Sequence, residues 1–326
     1  MDFTFSSLPK PFLALAPMED VTDRVFRGLI ADLAPPDVFF TEFISAPALA
    51  AQRKTTMAAL SFTPKEEPLI AQIWGNDPET FYAAARLLSQ RGYSGIDINM
   101  GCPAKKIVKK GACAGLIGNT SRTQELVLAV REGIESTNKK LPVSIKTRLG
   151  LTQNTLETWG AFLLELHPDA ITLHPRTAIQ MSEGSADWNQ IRLLSDMRNQ
   201  LSPSTTIIGN GDILSYQAAH TKAAASGADG VMIGRGIFYN PYVFSQYAPP
   251  LQQRPRQEKL QLALQHTRRF EASYSSTRNF EILKKFYKCY ISAYDGWEED
   301  FYRLTQVSSY TAAYTLLEQL LNQQPT

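Results

Sequence analysis

The chain has 326 residues, of which 44% are hydrophobic and 20% are charged, and its formal net charge is +2. This is an ordinary globular composition, long enough for one large core and a small second domain. Three cysteines without C-x-x-C spacing exclude a disulfide framework and a cysteine-based zinc site, and the small net charge neither requires nor excludes a nucleic-acid partner.

Membrane and secretion signals are both missing from the sequence pattern. No apolar run approaches the roughly 20 residues that span a bilayer. The N-terminal segment lacks the basic start and the cleavage site of a signal peptide. No set of His, Asp and Glu has metal-ligand spacing. We therefore expect a cytoplasmic protein, in a reducing compartment, with no membrane or metal partner. We also expect it to be a monomer.

Short apolar or β-branched runs recur along the chain and alternate with longer segments of helical pattern. Eight runs predict strands, at residues 12–18, 38–43, 68–74, 95–100, 142–148, 170–176, 205–211 and 230–236. Residues 77–92 and 122–136 predict helices, the first beginning with a capping Asp-Pro-Glu. Eight strand–helix units predict an α/β fold, a (β/α)8 TIM barrel. A doubly wound sheet is the alternative, but no G-x-G-x-x-G opens the chain.

A change of composition follows the eighth strand. Residues 247–260 are rich in Pro, Gln and Arg, and only helical patterns come after them. We therefore predict a catalytic barrel domain at residues 1–246 and a small all-helical domain at residues 247–326. Segment 268–288 carries six positive and two negative charges interleaved with aromatic residues. It is either an RNA-binding surface or a solvated helix face over a core of aromatic side chains.

Glycine-rich loops end the last two predicted strands. Asn210-Gly211-Asp212 follows strand seven, and Gly234-Arg235-Gly236 follows strand eight. Glycine exposes backbone N–H groups, Arg235 adds a cation, and barrels of this class often hold a ligand phosphate at these two loops. Two tight turns without a ligand are the alternative.

Charged residues also mark the ends of strands five and six. Lys146 and Arg148 alternate with Thr147, so both point to one side of the strand, and two charges in the core would be costly. We expect them at the barrel mouth, facing an anionic ligand; a salt bridge to Glu42 or Asp97 is the alternative. His174 ends strand six and either binds a cofactor or is structural.

The segment Asn99-Met-Gly-Cys102-Pro follows strand four and leads into four lysines, three of which are Lys105, Lys106 and Lys109. A thiol near cations is more reactive because the thiolate is favoured, and lysines on a loop attract phosphate. A small structural thiol filling a turn is the alternative for Cys102.

Several motifs together resemble one known family, the dihydrouridine synthases. They are LAPMEDVTDRVFR (15–27), TEF (41–43), AQIWG (71–75), DINMGCPAKKIVKKGA (97–112), IKTRLG (145–150), HPRT (174–177), NGDI (210–213) and MIGRG (232–236). The resemblance covers the whole predicted barrel, and NMGCPAKK is especially similar to the bacterial branch. The helical tail resembles the RNA-binding domain of that family.

The resemblance implies an FMN-bound barrel that reduces the C5–C6 double bond of selected uridines, usually in tRNA. NADPH would reduce the flavin, the reduced flavin would deliver hydride to C6, and Cys102 would protonate C5 as a general acid. The residues implied to contact FMN are Pro17, Met18, Glu19, Gln72, Lys146, His174, Asn210, Gly211, Asp212, Gly234 and Arg235. The residues implied to contact the RNA are Asn99, Arg148, Arg176, Lys105, Lys106 and Lys109.

This sequence departs from the pattern of the family at three places. Pro175 stands where glycine is common, Cys113 stands where a small residue often lies, and Met181-Ser182 stands where some relatives have an aromatic residue. None of these departures removes a residue that the chemistry needs.

Three other functions stay open at this point. A flavin reductase of a small molecule would not need the basic tail, a hydrolase would use Glu19 and Glu42 as a carboxylate pair, and a silent RNA-binding protein would not need Cys102. The sequence does not specify which uridine is reduced, whether ribosomal RNA is a target, or whether NADPH is preferred to NADH.

Overall fold

A computed structural model describes residues 3–323, which divide into two compact units. The first unit comprises residues 3–24, 36–213 and 217–234, and the second comprises residues 25–35, 214–216 and 235–323. The domain boundary at 246/247 stays a prediction, and its outer limits at residues 1 and 326 lie outside the described residues.

The described residues contain nine parallel strands in one sheet. They are β1 Phe12–Leu15, β2 Val38–Phe40, β3 Ile44–Ser45, β4 Leu69–Trp74, β5 Gly95–Met100, β6 Val143–Arg148, β7 Ala170–His174, β8 Thr206–Asn210 and β9 Gly230–Ile233. Pairing of β1 with β9 and of β2 with β4 closes eight of them into a barrel, with β3 attached to β4 alone. The predicted barrel followed by C-terminal helices is confirmed.

Helices connect the strands and fill the C-terminal part of the described chain. They are α1 Arg24–Leu33, α2 Ala46–Ala50, α3 Lys54–Ala59, α4 Pro78–Ser89, α5 Lys105–Val108, α6 Thr120–Glu135, α7 Leu156–Glu165, α8 Trp188–Leu201, α9 Tyr216–Ser226, α10 Gly236–Tyr239, α11 Arg256–Tyr274, α12 Glu281–Ile291, α13 Trp297–Gln306 and α14 Tyr310–Asn322. The predicted start of α4 is present, since the Asp77 carboxylate caps the Thr80 amide at 3.2 Å and Pro78 is the first helical residue.

Some strands are shorter than their apolar runs. The run at 38–43 forms a strand only to Phe40; the Thr41 hydroxyl then donates to the Glu42 carbonyl, and the short β3 follows. The run at 230–236 ends as a strand at Ile233, because Gly236 already begins α10. Hydrophobic pattern therefore predicted which strands exist better than where they end.

The interior of the barrel is divided between an apolar side and a polar side. Phe12, Ala14, Phe40, Ile208 and Met232 belong to one buried apolar cluster, which lies mainly along β1, β2, β8 and β9 and also includes Ile70 of β4 and Ala170 of β7. Strands β4 to β7 instead point polar side chains inward, at alternate positions along each strand. This asymmetry places a polar surface under the loops that follow β4 to β7.

The second unit has a core of aromatic side chains around a buried histidine. His266 packs against Phe286 with 4.7 Å between ring centroids, and its Nδ1 is 2.7 Å from the hydroxyl of Tyr290. Burial lowers the pKa of His266 to about 3, so this side chain is neutral at physiological pH.

Candidate active site

The carboxyl ends of the eight barrel strands, with the loops that follow them, form what we call the mouth. In (β/α)8 barrels the functional residues lie at this end. The predicted site residues of strands β4 to β7 are all at or near it. Neighbouring strands pair Gln72 with Asp97, Asn99 with Lys146 and Arg148 with His174, so these side chains form one continuous patch.

A chain of hydrogen bonds runs through the polar side of the barrel. Ser144 donates to Asp97 Oδ1 at 2.6 Å, and Gln72 Nε2 donates to Asp97 Oδ2 at 2.7 Å. Asn99 Nδ2 then donates to Gln72 Oε1 at 2.8 Å. Burial raises the pKa of Asp97 to about 6 although both donors oppose the shift, so the carboxyl is mostly ionised at neutral pH.

The same chain holds the turn that carries Cys102. Asn99 Oδ1 accepts the backbone N–H groups of Gly101 and Cys102, each at 3.0 Å. On the other side of the residue, the carbonyl of Cys102 accepts the N–H of Ala114 at 3.3 Å. The backbone of Cys102 is therefore fixed on both sides, and its half-buried thiol lies at the mouth.

A second thiol, that of Cys113, acts on the acidity of Cys102. Hydrogen bonding to the Cys113 thiol, together with the Ala104 N–H and the cations of Arg148 and Lys146, lowers the pKa of Cys102 to about 6 against the opposing effect of burial. The pKa of the fully buried Cys113 is raised, because its thiol donates to Cys102 and is itself desolvated. One proton is thus retained on Cys113 while Cys102 ionises.

Lys146 lies at the centre of the polar patch. Burial and the nearby guanidinium of Arg148 lower the pKa of this half-buried ammonium group to about 8, whereas Asp97 and Cys102 act in the opposite direction. Lys146 is therefore charged at neutral pH, and a bound anion would restore its pKa. Next to it on β7, the buried hydroxyl of Thr172 has no hydrogen-bond partner in the structure.

Arg148 joins two loops of the mouth. Its Nε donates to the carbonyl of Gly101 at 2.8 Å, and its Nη1 donates to the carbonyls of Thr177 and Met181 at 3.1 and 2.9 Å. The guanidinium is buried, with 8% of the residue exposed. Lys146 and Arg148 do point to the same side of β6, as their alternation predicted.

Arg176 is more deeply buried than the sequence suggested. Only 1% of its surface is exposed, and its guanidinium bonds to His174, Glu183, Gly184 and Asp212. This placement favours a role in holding the loop after β7 over the predicted contact with RNA.

The first glycine-rich loop, at residues 210–212, belongs to the first unit. The second begins at Gly234, where that unit ends, and continues into the second unit. Gly211 has φ +133°, a conformation that other residues rarely adopt, and Asp212 has φ +55°. A Cβ at Gly234 would make only ordinary contacts, 3.6 Å from Ala16 Cβ and Met18 Sδ, so packing within the protein does not require glycine there. Asn210 is buried and donates to the Met232 carbonyl at 2.8 Å, and Arg235 is exposed at the start of the second unit.

The loop after β1 contributes Pro17, Met18 and Glu19. Pro17 and Met18 are half-buried, and the Met18 N–H donates to the Thr22 hydroxyl at 2.9 Å. Glu19 is exposed. The partner proposed for it in a hydrolase, Glu42, accepts the Asp20 N–H at 2.7 Å.

The lysines after Cys102 are exposed at the mouth. Lys105 and Lys106 lie in the short helix α5, and Lys109 ends it. The Lys110 carbonyl accepts a hydrogen bond from Asn76, which ties this loop to the loop after β4. In the second unit, by contrast, Arg269 is paired with Asp32 at 2.7 Å and Lys284 with Glu281 at 2.8 Å.

Sequence reasoning missed four residues of this site: Asp97 as its central acceptor, and Ser144, Thr172 and Cys113. Three of them precede a predicted site residue by two positions on the same strand, so the period of two could have identified them. Cys113 was noticed only as a departure from the family pattern, because no local pattern shows which thiol it faces.

Residues 3–323 include no group of three or more His, Cys, Asp or Glu side chains that could hold a metal ion. None of the helices in the same range is both long enough and apolar enough to cross a membrane.

The sequence and the fold both match known proteins. The family model of dihydrouridine synthase (Dus) matches residues 14–323. A probable tRNA-dihydrouridine synthase of Staphylococcus aureus (strain COL) is 36% identical over 318 residues, covering 97% of this chain and 94% of its own. The probable tRNA-dihydrouridine synthase 2 of Bacillus subtilis (strain 168) is 36% identical over 296 residues, covering 90% and 88%.

Among solved structures, a 2-naphthoyl-CoA reductase in complex with 2-naphthoyl-CoA has a TM-score of 0.51 at 11% identity. The match covers 71% of this chain and 49% of the other, so the present chain spans about half the length of that protein. At this identity the likeness supports the barrel fold alone.

The hydrogen bond between the two thiols gives a testable prediction. In Cys113→Ala the pKa of Cys102 should rise from about 6 towards its ordinary value of 9.0, because the main cause of the lowering is removed. The thiolate fraction at pH 7 then falls, and alkylation by iodoacetamide should slow by about tenfold or more. The measurement is the alkylation rate of Cys102 between pH 5 and 10, followed by peptide mass spectrometry.

Cys289→Ala is the matched control. Cys289 is buried in α12, and burial raises its pKa to about 12, so removing it should leave the alkylation profile of Cys102 unchanged. An identical profile in Cys113→Ala and wild type would show that the thiol pair does not set the acidity of Cys102.

Proposed function

Because this chain belongs to the dihydrouridine synthase family, we propose that it is an FMN-dependent, NADPH-driven tRNA-dihydrouridine synthase, which reduces the C5–C6 double bond of specific uridines in tRNA. The observation that carries this proposal is a thiol, Cys102, on a fixed turn beside two cations at the mouth. We expect the enzyme to work in the cytoplasm, where its RNA substrate is found.

The residues present fit a flavin mononucleotide. The unpartnered Thr172 hydroxyl and the charged Lys146 are neighbours on the polar side, and polar groups of this kind can bind the ring carbonyls of a flavin. Gln72 and His174 complete this side, while Pro17, Met18 and Glu19 come from the loop after β1. When bound, reduced FMN would supply hydride to C6 of the uracil, after reduction by NADPH.

Lys146 would stabilise negative charge on the ring. The group is desolvated, which strengthens its attraction for an anion, and it is still charged at neutral pH. A neutral side chain at this position would remove that attraction without altering the fold of β6.

The phosphate would be held by backbone groups of the loops after β8 and β9. Gly211 and Gly234 place no side chain between the backbone of these loops and a ligand, and Asn210 supports the first of the loops. Asp212 can contribute only through its N–H, because its carboxylate is bound by Arg176 and would repel phosphate. The phosphate contact of Arg235 stays a prediction from the sequence.

Cys102 would act as the general acid that protonates C5. A thiol with a pKa near 6 is a strong acid, but it must carry its proton when the substrate is bound. The phosphates of a bound RNA raise the pKa of nearby acids, and this keeps the thiol protonated in the complex. The bond from Cys113 would then stabilise the thiolate that remains after the proton has been transferred.

Asn99 would bind the uracil in addition to holding the turn that carries Cys102. Its amide nitrogen carries two hydrogens, of which one is donated to Gln72, so the other can be donated to a carbonyl oxygen of uracil. Arg148 adds positive charge at the same edge while it holds the loops after β5 and β7.

Access to the mouth requires that the target uridine leaves the RNA stack. Extrusion of a base costs a few kcal/mol, and phosphate contacts can offset that cost. Lys105, Lys106 and Lys109 are exposed on the loop that carries Cys102, and this supports their proposed contact with the RNA backbone near the extruded uridine.

The first test follows product by mass. Wild type with FMN and NADPH should add about 2 Da to an unmodified tRNA transcript for each uridine reduced. Cys102→Ala should lower the single-turnover rate by about 100-fold or more, because the proton donor is removed, while flavin binding is retained. The kcat/KM of wild type should fall as the pH rises above the pKa of Cys102 near 6, since only the thiol can donate.

Cys289→Ala serves again as the control and should keep the wild-type rate. Full activity of Cys102→Ala would overturn the assigned proton donor. A wild-type protein that adds no mass to any tRNA transcript would overturn the proposed function itself.

The second test concerns the flavin. Lys146→Met should raise the Kd for FMN by about tenfold, because methionine cannot supply the desolvated positive charge that attracts the ring, as measured by quenching of flavin fluorescence. Lys10→Met is the control, since Lys10 pairs with Asp229 at 2.6 Å at the opposite end of the barrel. Equal affinity in Lys146→Met and Lys10→Met would contradict the placement of the ring.

The third test concerns the RNA backbone. The triple change of Lys105, Lys106 and Lys109 to alanine should reduce the slope of log K against log salt by about 2 to 3 units, one for each phosphate that a lysine no longer neutralises. The control is Lys139→Ala with Lys140→Ala, two exposed lysines that precede β6 at the other end of the barrel. A slope that is unchanged in the triple variant would exclude these lysines from the interface.

A further inference from the structure

Arg176 is a fully buried cation that donates to four separate groups. Its Nε donates to the Glu183 carbonyl at 3.2 Å, and its Nη2 donates to the Gly184 carbonyl at 2.5 Å and to Asp212 Oδ2 at 2.6 Å. Its Nη1 is 3.1 Å from His174 Nε2. Charged side chains are rarely buried to this extent unless each donor has a partner, so the geometry of this cluster is specific.

The contact with His174 determines where the imidazole carries its proton. A guanidinium group has donors only and keeps its charge in proteins. The Nε2 atom of His174 must therefore accept the hydrogen bond from Arg176. An imidazole that accepts at Nε2 carries its proton on Nδ1, so His174 is a hydrogen-bond donor at Nδ1.

The orientation of the ring agrees with this assignment. A Cβ built on Gly211 would lie 3.2 Å from Cδ2 and 3.5 Å from Nε2 of His174, so this edge of the imidazole faces the loop after β8. The Nδ1 atom is on the opposite edge of the ring. His174 is half-buried at the end of β7, next to Arg148 across the β6–β7 pair.

Asp212 in turn fixes Arg176. Its Oδ2 atom accepts from Arg176 and, at 2.8 Å, from the Ala186 N–H. The sequence of contacts Asp212–Arg176–His174 therefore begins with an acceptor that is held by the backbone and ends with a donor at Nδ1.

We propose that Arg176 is a positioning residue: it fixes the tautomer of His174, so that Nδ1 presents a hydrogen-bond donor to an oxygen or nitrogen acceptor of the bound flavin nucleotide. This inference rests on the proposed function for the identity of the acceptor. In the other tautomer, Nδ1 would present a lone pair to that acceptor and repel it. Arg176 thus acts on the cofactor through His174 and touches neither cofactor nor uracil.

The tautomer can be measured directly. The chain has four histidines, so long-range ¹⁵N–¹H NMR of histidine-labelled protein is tractable, and His174→Asn identifies the signals of His174. Wild type should show a proton on Nδ1. Arg176→Met should shift the signals towards the Nε2–H form, because the enforced donor is removed. A wild type with its proton on Nε2, or an unchanged tautomer in Arg176→Met, would overturn the proposal.

Arg198→Met is the matched control for loss of a buried arginine. Arg198 bonds to Asp229 at 2.6 Å and to the Thr205 carbonyl at 2.8 Å, at the opposite end of the barrel. The Arg198→Met variant should have a lower melting temperature but an unchanged His174 tautomer and an unchanged Kd for FMN. Arg176→Met, by contrast, should raise that Kd about tenfold. An equal rise of Kd in both variants would reduce Arg176 to a general structural role.

Substitution of His174 gives a second measurement that does not depend on the stability of Arg176→Met. The amide of asparagine can donate from a position close to that of Nδ1, whereas the amide of glutamine reaches the position of Nε2. His174→Asn should therefore bind FMN more tightly than His174→Gln, and adding Arg176→Met to His174→Asn should cost little further affinity. The reverse order of affinity would overturn the proposal.

The two failures can be told apart. If wild type takes up no FMN, the proposed function fails together with the acceptor named here. If wild type binds FMN but carries its proton on Nε2, only the role of Arg176 is overturned.

Discussion

The buried negative charge of Asp97 sets the direction of the hydrogen bonds on which the site depends. A carboxylate can only accept, so Gln72 must turn its amide nitrogen towards Asp97 and its oxygen towards Asn99. Asn99 must then turn its own oxygen towards the backbone N–H groups that precede the thiol. One charge in the barrel interior thereby determines which atoms are presented at the mouth, although its pKa near 6 shows that burial opposes the ionised form.

Two buried arginines also fix the hydrogen bonds around them, but as cations that only donate. Arg148 and Arg176 can only donate, and each binds carbonyl groups of the loops at the mouth. Buried ion pairs contribute little net stability but impose one arrangement on their neighbours, because any alternative leaves a charge unpaired. The mouth is therefore preorganised by fixed donors and acceptors, and this favours binding of a cofactor without a large cost of ordering.

The sequence predicted the barrel because eight apolar runs, separated by helical patterns, have few other ways to be buried. It also predicted that Lys146 and Arg148 share one side of β6, since alternation is a local property. The depth of a side chain is not local, so the burial of Arg176 and the engagement of Asn99 with the turn were not foreseen. The pairing of Cys113 with Cys102 depends on how the loop after β5 closes, which the spacing of the residues along the chain does not specify.

The two backbone hydrogen bonds of Cys102, at its N–H and at its carbonyl, limit how the residue can move. With its amide and its carbonyl both engaged, the residue moves its sulfur mainly by rotation about the Cα–Cβ bond. Side-chain rotations of this kind take picoseconds to nanoseconds, far less than the microseconds to milliseconds of collective loop movements. Under the proposed function, delivery of the acid by Cys102 therefore requires no collective movement of the loop that carries it.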